Sequence, residues 1–205
     1  MKVQREDFKN RHVLQHFDRV REATNNMMFM FAIRAKDLDR NLTFSSSLRA
    51  SMGWPLHVEN LYEYRMMYDG VYERLFQFCI ISLCSDIEVF FKDTFDKYNY
   101  PRGSGNGFFQ RLDDVIAKFE SAGLDFAPIN GYVGKMRLAF QVRHIGIHNM
   151  GVADEGFVSK TGVGSVGCVY LIDQTNYREM FDAYTAFLKH LDSILPTLPV
   201  RWAVC

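Results

Sequence analysis

The segment from Val71 to about Tyr98 limits the possible folds of this chain more than any other segment. It is the most apolar part of the sequence, and Asp69-Gly70 marks the turn before it. Its apolar residues recur at helical spacing, which predicts a long central helix. A chain built around such a helix is expected to be mainly α-helical.

The composition predicts one helical domain over residues 1–205. With 205 residues, of which 48% are apolar and 15% aromatic, the chain is long enough for one well-filled core and short for two independent cores. Its 18 Phe and 10 Tyr lie in segments with helical spacing, and Val166 to Ile172 is locally strand-like. We therefore predict an all-α helical bundle, with a glycine-rich loop or short hairpin before the last helix.

Turn residues divide the remaining chain into further predicted elements. Asn106 and Asp173 are suitable caps for following helices, and Gly151 to Gly167 contains five glycines and predicts a loop. That loop is either a flap over a substrate or a plain surface loop. The predicted helices are Arg5 to Leu38 (followed by a loop within residues 1–55), Phe108 to Ser121, Asn130 to about Gly151, and Asp173 to Leu195.

Cysteine usage and the N-terminus predict a cytoplasmic protein. The four cysteines form no Cys-x-x-Cys pair and no spaced metal quartet, so reduced thiols are expected. Charges occupy the first residues where a signal peptide needs apolar ones, and the longest apolar run, Met27 to Ile33, is too short to cross a bilayer. The cysteines are Cys79, Cys84, Cys168 and Cys205.

The run from Arg143 to Asn149, Arg-His-Ile-Gly-Ile-His-Asn, carries most of the functional information. Arginine keeps its charge and offers a planar donor group to phosphate. Histidine, with an unperturbed pKa of roughly 6.5, both gives and takes protons at cellular pH. The combination suits chemistry at a phosphodiester.

The surroundings of this run predict a local anion site. No carboxylate occurs between Asp125 and Asp154, although the chain has 24 acidic and 24 basic residues. The same stretch contains Lys135 and Arg137. A neutral protein with such a local excess of cations is expected to contact a few phosphates and not to bind polyanions generally.

Helical geometry places four polar residues of this stretch on one stripe. At about 100° per residue, Arg137, Gln141, His144 and His148 align, while apolar residues cover much of the remaining surface. Such a stripe must face a cleft, a partner chain or a compensating polar network. Arg143 lies about 140° from His148 on the same wheel, so straight geometry does not bring the two side chains together.

Glu88 lies on an otherwise apolar stripe of the central segment. A buried carboxylate needs a cation or a proton, and Arg143 and Arg137 are the candidate cations. An ion pair between Glu88 and Arg143 is the preferred prediction. It would either orient Arg143 for catalysis or serve as a structural salt bridge.

The spacing of His144 and His148 also suits two ligands of one metal ion. The segment between them lacks the glutamate of a metalloprotease helix, and no third ligand is evident nearby. The prediction is therefore a site without metal or cofactor, and metal-dependent hydrolysis is kept as an alternative.

The pattern Arg143-x4-His148, continued through Asn149 to Asp154, resembles the signature of the HEPN superfamily. Ribonucleases of that superfamily carry an arginine and a histidine separated by four to six residues. The segment Ile81–Asp93 is similar to the family's earlier core helix with its acidic residue. The order of elements over residues 71–195 also resembles the family, which commonly has Asn where this chain has His144.

This resemblance implies a homodimer whose two motif helices form one cleft, and metal-independent endoribonuclease activity. Arg143 and His148 would be catalytic, with His144, Asn149 and Glu88 in support. Arg137, Lys135 and Gln141 would contact RNA phosphates.

The products of the implied reaction would be 2′,3′-cyclic phosphate and 5′-OH ends. The biological role would be that of a toxin or defence effector restrained by an antitoxin or regulatory protein. The alternative is a non-catalytic HEPN-like module for RNA or nucleotide binding or for dimerisation.

Overall fold

Helices make up most of residues 3–197, the part of the chain that the computed structural model describes. Within this part no residue belongs to a β-strand, and the extended segments form only single bridges, Thr43 with Asn60 and Val152 with Val169. The predicted all-α helical bundle is therefore confirmed. The helices are α1 (Arg11–Val20), a π-helical stretch (Arg21–Phe29), α2 (Met30–Asn41), α3 (Ser46–Met52), α4 (Leu61–Arg65), α5 (Val71–Tyr98), α6 (Leu112–Ser121), α7 (Asn130–His148), α8 (Glu155–Thr161) and α9 (Gln174–Ile194).

Helices α5, α7 and α9 pack against one another and form the centre of the bundle. Helix α1 covers α5 and α9, and α6 and α8 both pack on α7. The core between these helices is rich in fully buried aromatic rings, which bury large apolar areas. Among them are Phe90, Phe91, Phe95, Phe119, Tyr177, Tyr184 and Phe187.

The N-terminal helix differs from its predicted bounds of Arg5 to Leu38. A short 3₁₀ turn, Arg5–Asp7, stands apart from α1, and the helical run then continues to Asn41. The break arises because the Asp192 carboxylate of α9 accepts hydrogen bonds from the backbone N–H groups of Lys9 (2.6 Å) and Asn10 (3.0 Å). A distant side chain thus replaces the local helical bonds at this point.

The predictions for α5 and α9 are confirmed, whereas the cap predicted before α6 is wrong. Asp173 caps α9, where its carboxylate accepts from the Asn176 N–H at 2.7 Å. The predicted helix from Phe108 to Ser121 is divided into a 3₁₀ turn, Phe108–Gln110, and α6. Arg111 therefore holds the N-cap position of α6, and Asn106 lies too far upstream to cap it.

The prediction of a continuous loop from Gly151 to Gly167 is wrong, because this region contains α8. The Asp154 carboxylate caps α8 by accepting from the Phe157 N–H at 2.7 Å. The Phe157 side chain is buried, so core packing anchors the short helix despite the nearby glycines. The strand-like segment Val166 to Ile172 forms no β-strand, but it pairs with the chain just after α7. The pairing consists of the Val152–Val169 bridge and backbone hydrogen bonds from the Ala153 N–H to the Cys168 carbonyl (2.9 Å) and from the Tyr170 N–H to the Gly151 carbonyl (2.9 Å).

Cys79 and Cys84 are buried free thiols, and Cys168 is an exposed one. Burial raises the pKa of the Cys79 thiol to about 11, which makes it a poor nucleophile. Cys205 lies outside the described residues. Within residues 3–197, no helix is long and apolar enough to cross a membrane.

Candidate active site

The motif helix α7 is held in the centre of the bundle by its apolar face. Val133, Met136, Val142 and Ile145 are all buried against neighbouring helices. At Gly146 the helix comes so close to α5 that an added Cβ would lie 3.0 Å from the Ile81 Cδ1 atom. This packing fixes the rotation of α7 and therefore the direction of its polar stripe.

A tight turn ends α7 immediately after the motif. Met150 and Gly151 both have positive φ values, 51° and 86°, and the Gly151 N–H donates to the Ile145 carbonyl at 2.9 Å. A Cβ at Gly151 would lie 2.8 Å from both Arg74 Nη1 and Gln77 Nε2. The positive φ therefore favours glycine here, and a Cβ would in addition require the ends of the Arg74 and Gln77 side chains to shift.

The four residues of the predicted stripe border one cleft of about 430 Å³. His144 and His148 are both exposed, and their ring centroids are 4.9 Å apart. The first turn of α6, from Leu112 to Asp114, contributes another wall of the cleft. Of the three surroundings expected for the stripe, a cleft, a partner chain or a polar network, the structure shows a cleft beside Arg137, Gln141, His144 and His148.

Arg143 forms the predicted ion pair with Glu88 of α5. The Arg143 Nη2 and Glu88 Oε1 atoms are 2.8 Å apart, and the side chains are only 12% and 17% exposed. Burial raises the pKa of Glu88 above its usual value, and the Arg143 charge and a hydrogen bond with Gln110 act in the opposite direction. The pair anchors the guanidinium on α5.

Arg143 also borders the cleft that contains the two histidines. The helical wheel separated Arg143 from His148, but the long side chain reaches Glu88 on one side and the cleft on the other. Its buried Nε atom has no hydrogen-bond partner among the described residues. The guanidinium therefore retains hydrogen-bonding capacity beyond its contact with Glu88.

The expected local excess of positive charge around the motif needs correction. Helix α6 brings Asp113 and Asp114 to the cleft. Arg137 Nε donates to Asp113 Oδ1 at 2.6 Å, and Arg111 binds Asp114. The stretch is free of carboxylates along the sequence but not in space, so Arg137 and Arg111 already have counter-ions at the cleft.

Lys135 and Asn149 lie apart from the residues that border the cleft. The Lys135 ammonium pairs with Glu179 of α9. The Asn149 side-chain amide donates to Asp154 Oδ2 at 2.7 Å and so supports the cap of α8. The cleft also contains Lys160 and Gln110, which sequence reasoning missed because α8 was predicted as a loop and Gln110 lies in a short turn.

Among the described residues, no group of three or more His, Cys, Asp or Glu side chains is arranged to hold a metal ion. Comparisons with protein-family models, curated proteins and solved structures found no match. The membership of the HEPN superfamily therefore stays a prediction from the motif.

Proposed function

We propose that this protein is a metal-independent endoribonuclease of HEPN type that acts in the cytoplasm. The observation that carries the proposal is the convergence of Arg143, His144 and His148 on one open cleft, with Arg143 anchored by Glu88. A cation beside two proton carriers matches the needs of phosphodiester cleavage, in which protons move while negative charge gathers on phosphoryl oxygens.

In this proposal the RNA supplies its own nucleophile. The ribose 2′-OH attacks the adjacent phosphorus, and the 5′-oxygen leaves. His148 moves protons, Arg143 binds the phosphoryl oxygens, and Gln141 and Arg137 contact the flanking RNA. DNA has no 2′-OH and should not be cut. A ribonuclease of this kind would suit a toxin or defence effector that an antitoxin or regulatory protein restrains.

The test compares wild type with His148→Ala on end-labelled RNA in excess chelator. Wild type is expected to cut RNA, and His148→Ala to be slower by roughly 10²–10⁴-fold because proton transfer is lost. If the folded wild-type protein binds RNA without cutting it, the alternative of a non-catalytic binding module is correct. Cleavage that chelator abolishes would instead show metal-dependent hydrolysis.

An exposed apolar face beside the motif supports the proposal of a homodimer. Phe78 and Val89 of α5 and Ile147 of α7 are 48%, 54% and 48% exposed. Arg74 links these helices, since its guanidinium lies over the Phe78 ring and donates to the Gly146 carbonyl. Contact between two copies at this face would cover the apolar side chains and bring the two motifs close together.

Val89→Arg is expected to weaken dimerisation by roughly 100-fold, because an unpaired charge would be buried in the interface. The measurement is the molecular mass in solution at a series of protein concentrations. The wild-type dimer should have twice the 23.8 kDa of one chain. Met27→Arg is the matched control, because Met27 is a 72% exposed apolar residue on the π-helical stretch. A wild-type protein that stays monomeric at all concentrations would contradict the proposal.

A further inference from the structure

His144 and His148 form a pair of side chains that can carry protons at one cleft. They lie one helical turn apart on α7, with ring centroids at 4.9 Å, and both are exposed. Cleavage by the 2′-OH needs one group to remove its proton and another to protonate the leaving 5′-oxygen. A single chain of this protein provides two imidazoles for these two tasks.

The two histidines differ in their surroundings, because Asp154 interacts electrostatically with His144. The Asp154 carboxylate accepts from the Phe157 N–H and from the Asn149 amide, each at 2.7 Å. The Phe157 N–H lowers the pKa of Asp154 most, and the Asn149 bond and the His144 charge add to this effect. An imidazolium at position 144 therefore has an ionised carboxylate as a nearby counter-charge.

Most of the other charged groups around the pair already hold partners of opposite charge. Asp113 and Asp114 bind arginines, and Glu88 is held by Arg143. Lys160 of α8 also borders the cleft and interacts with Asp154. Within the described structure, the two imidazoles are thus the groups best suited to exchange protons with a bound phosphodiester.

We propose that His144 is a second catalytic residue, the general acid, and that His148 is the general base. This inference rests on the proposed ribonuclease function. His148 takes the 2′-OH proton as the 2′-oxygen bonds to phosphorus, and His144 donates its proton to the 5′-oxygen as that oxygen leaves. The products are a 2′,3′-cyclic phosphate and a 5′-OH, and exchange with water restores both histidines.

A comparison of two substrates tests this division of roles. One is a ribodinucleotide, whose 5′-oxygen needs a proton to leave, and the other is uridine 3′-(4-nitrophenyl phosphate), whose leaving group departs as an anion. His144→Asn is expected to slow the dinucleotide by roughly 10²–10⁴-fold and the nitrophenyl ester by less than about tenfold. His148→Asn should slow both, because both substrates need a base at the 2′-OH.

His57→Asn is the matched control, because His57 is exposed and does not border the cleft. It should cleave both substrates like wild type, and circular dichroism should show that all three variants are folded. Equal slowing of both substrates by His144→Asn, or no slowing of either, would overturn the general-acid role and leave the ribonuclease proposal standing. A wild-type protein that cleaves neither substrate would overturn both.

Discussion

Arg143→Gln is expected to lower the single-turnover rate of RNA cleavage by roughly 10²–10³-fold, the usual effect of removing one preorganised donor to a developing oxyanion. The guanidinium is positioned for this role by its contact with Glu88 and its place at the cleft. Arg143→Lys should restore little of the rate, because an ammonium is a compact charge without the planar donor fork of arginine.

Arg137→Gln is the control for general loss of positive charge at the cleft. Arg137 is more exposed than Arg143 and is already paired with Asp113, so its loss should weaken RNA binding with little change in the chemical step. A folded Arg143→Gln variant that cleaves RNA at the wild-type rate would show that the ion pair with Glu88 is purely structural.

Arg143→Gln is also expected to change how the free energy of unfolding depends on pH. Without Arg143, the pKa of Glu88 should rise further above its ordinary value of 4.5, because desolvation is no longer opposed by the positive charge. A carboxyl whose folded-state pKa is raised contributes stability that is lost as pH increases through that pKa. Urea unfolding should therefore show the variant least destabilised near pH 4.5 and most destabilised at neutral pH and above.

The wild-type protein is expected to lose stability as pH falls below about 6.5, with His16 as a main cause. His16 is 8% exposed, stacks on Phe90 at 4.6 Å between ring centroids, and has an Nε2 atom without a partner among the described residues. Burial lowers its pKa from 6.5 to about 3, and the charges of Arg19 and His12 add to this effect. The unfolded chain thus binds a proton that the folded protein excludes.

This depressed pKa fixes the sign and the size of the effect. The stabilisation is present above the unfolded-state pKa and is lost as pH falls toward the folded-state value, at up to roughly 1.4 kcal/mol per pH unit. The free energy of unfolding should therefore drop by roughly 1–2 kcal/mol from pH 7 to pH 5. Urea unfolding at a series of pH values measures this loss.

His16→Phe should reduce this pH dependence, because phenylalanine retains the aromatic packing and has no group to protonate. The remaining slope should come partly from His12, whose pKa is also lowered by burial. His57→Phe, at an exposed position, should leave the slope unchanged. If His16→Phe has the wild-type slope, then His16 titrates in the folded protein much as it does in the unfolded chain.

The parts of the site that follow from local rules could be predicted from the sequence. The polar stripe of α7 is set by helical periodicity, and the four residues that the wheel aligned do border one cleft. The ion pair of Glu88 and Arg143 could be predicted because a carboxylate on an apolar face needs a counter-ion. The first inference needed only the periodicity of one helix, and the second needed only a rule about buried charge.

Other features depend on contacts between distant segments, and sequence patterns did not reveal them. Asp113 reaches Arg137 across 24 positions, so a stretch without carboxylates still has an acidic neighbour in space. Asp192 interrupts the N-terminal helix from 183 positions away. The α8 helix forms because Asp154 caps it and Phe157 is buried, which outweighs the glycines that predicted a loop.

Cleavage of a DNA oligonucleotide that contains one ribonucleotide tests the central claim most directly. With a label at each end and excess chelator present, the wild-type protein is predicted to cut only on the 3′ side of the ribose. It should leave a 2′,3′-cyclic phosphate on one fragment and a 5′-OH on the other. An oligonucleotide that stays intact while ordinary RNA is also uncut, or cleavage that spreads through the deoxynucleotides, would contradict the assignment of Arg143 and His148 to a ribonuclease site.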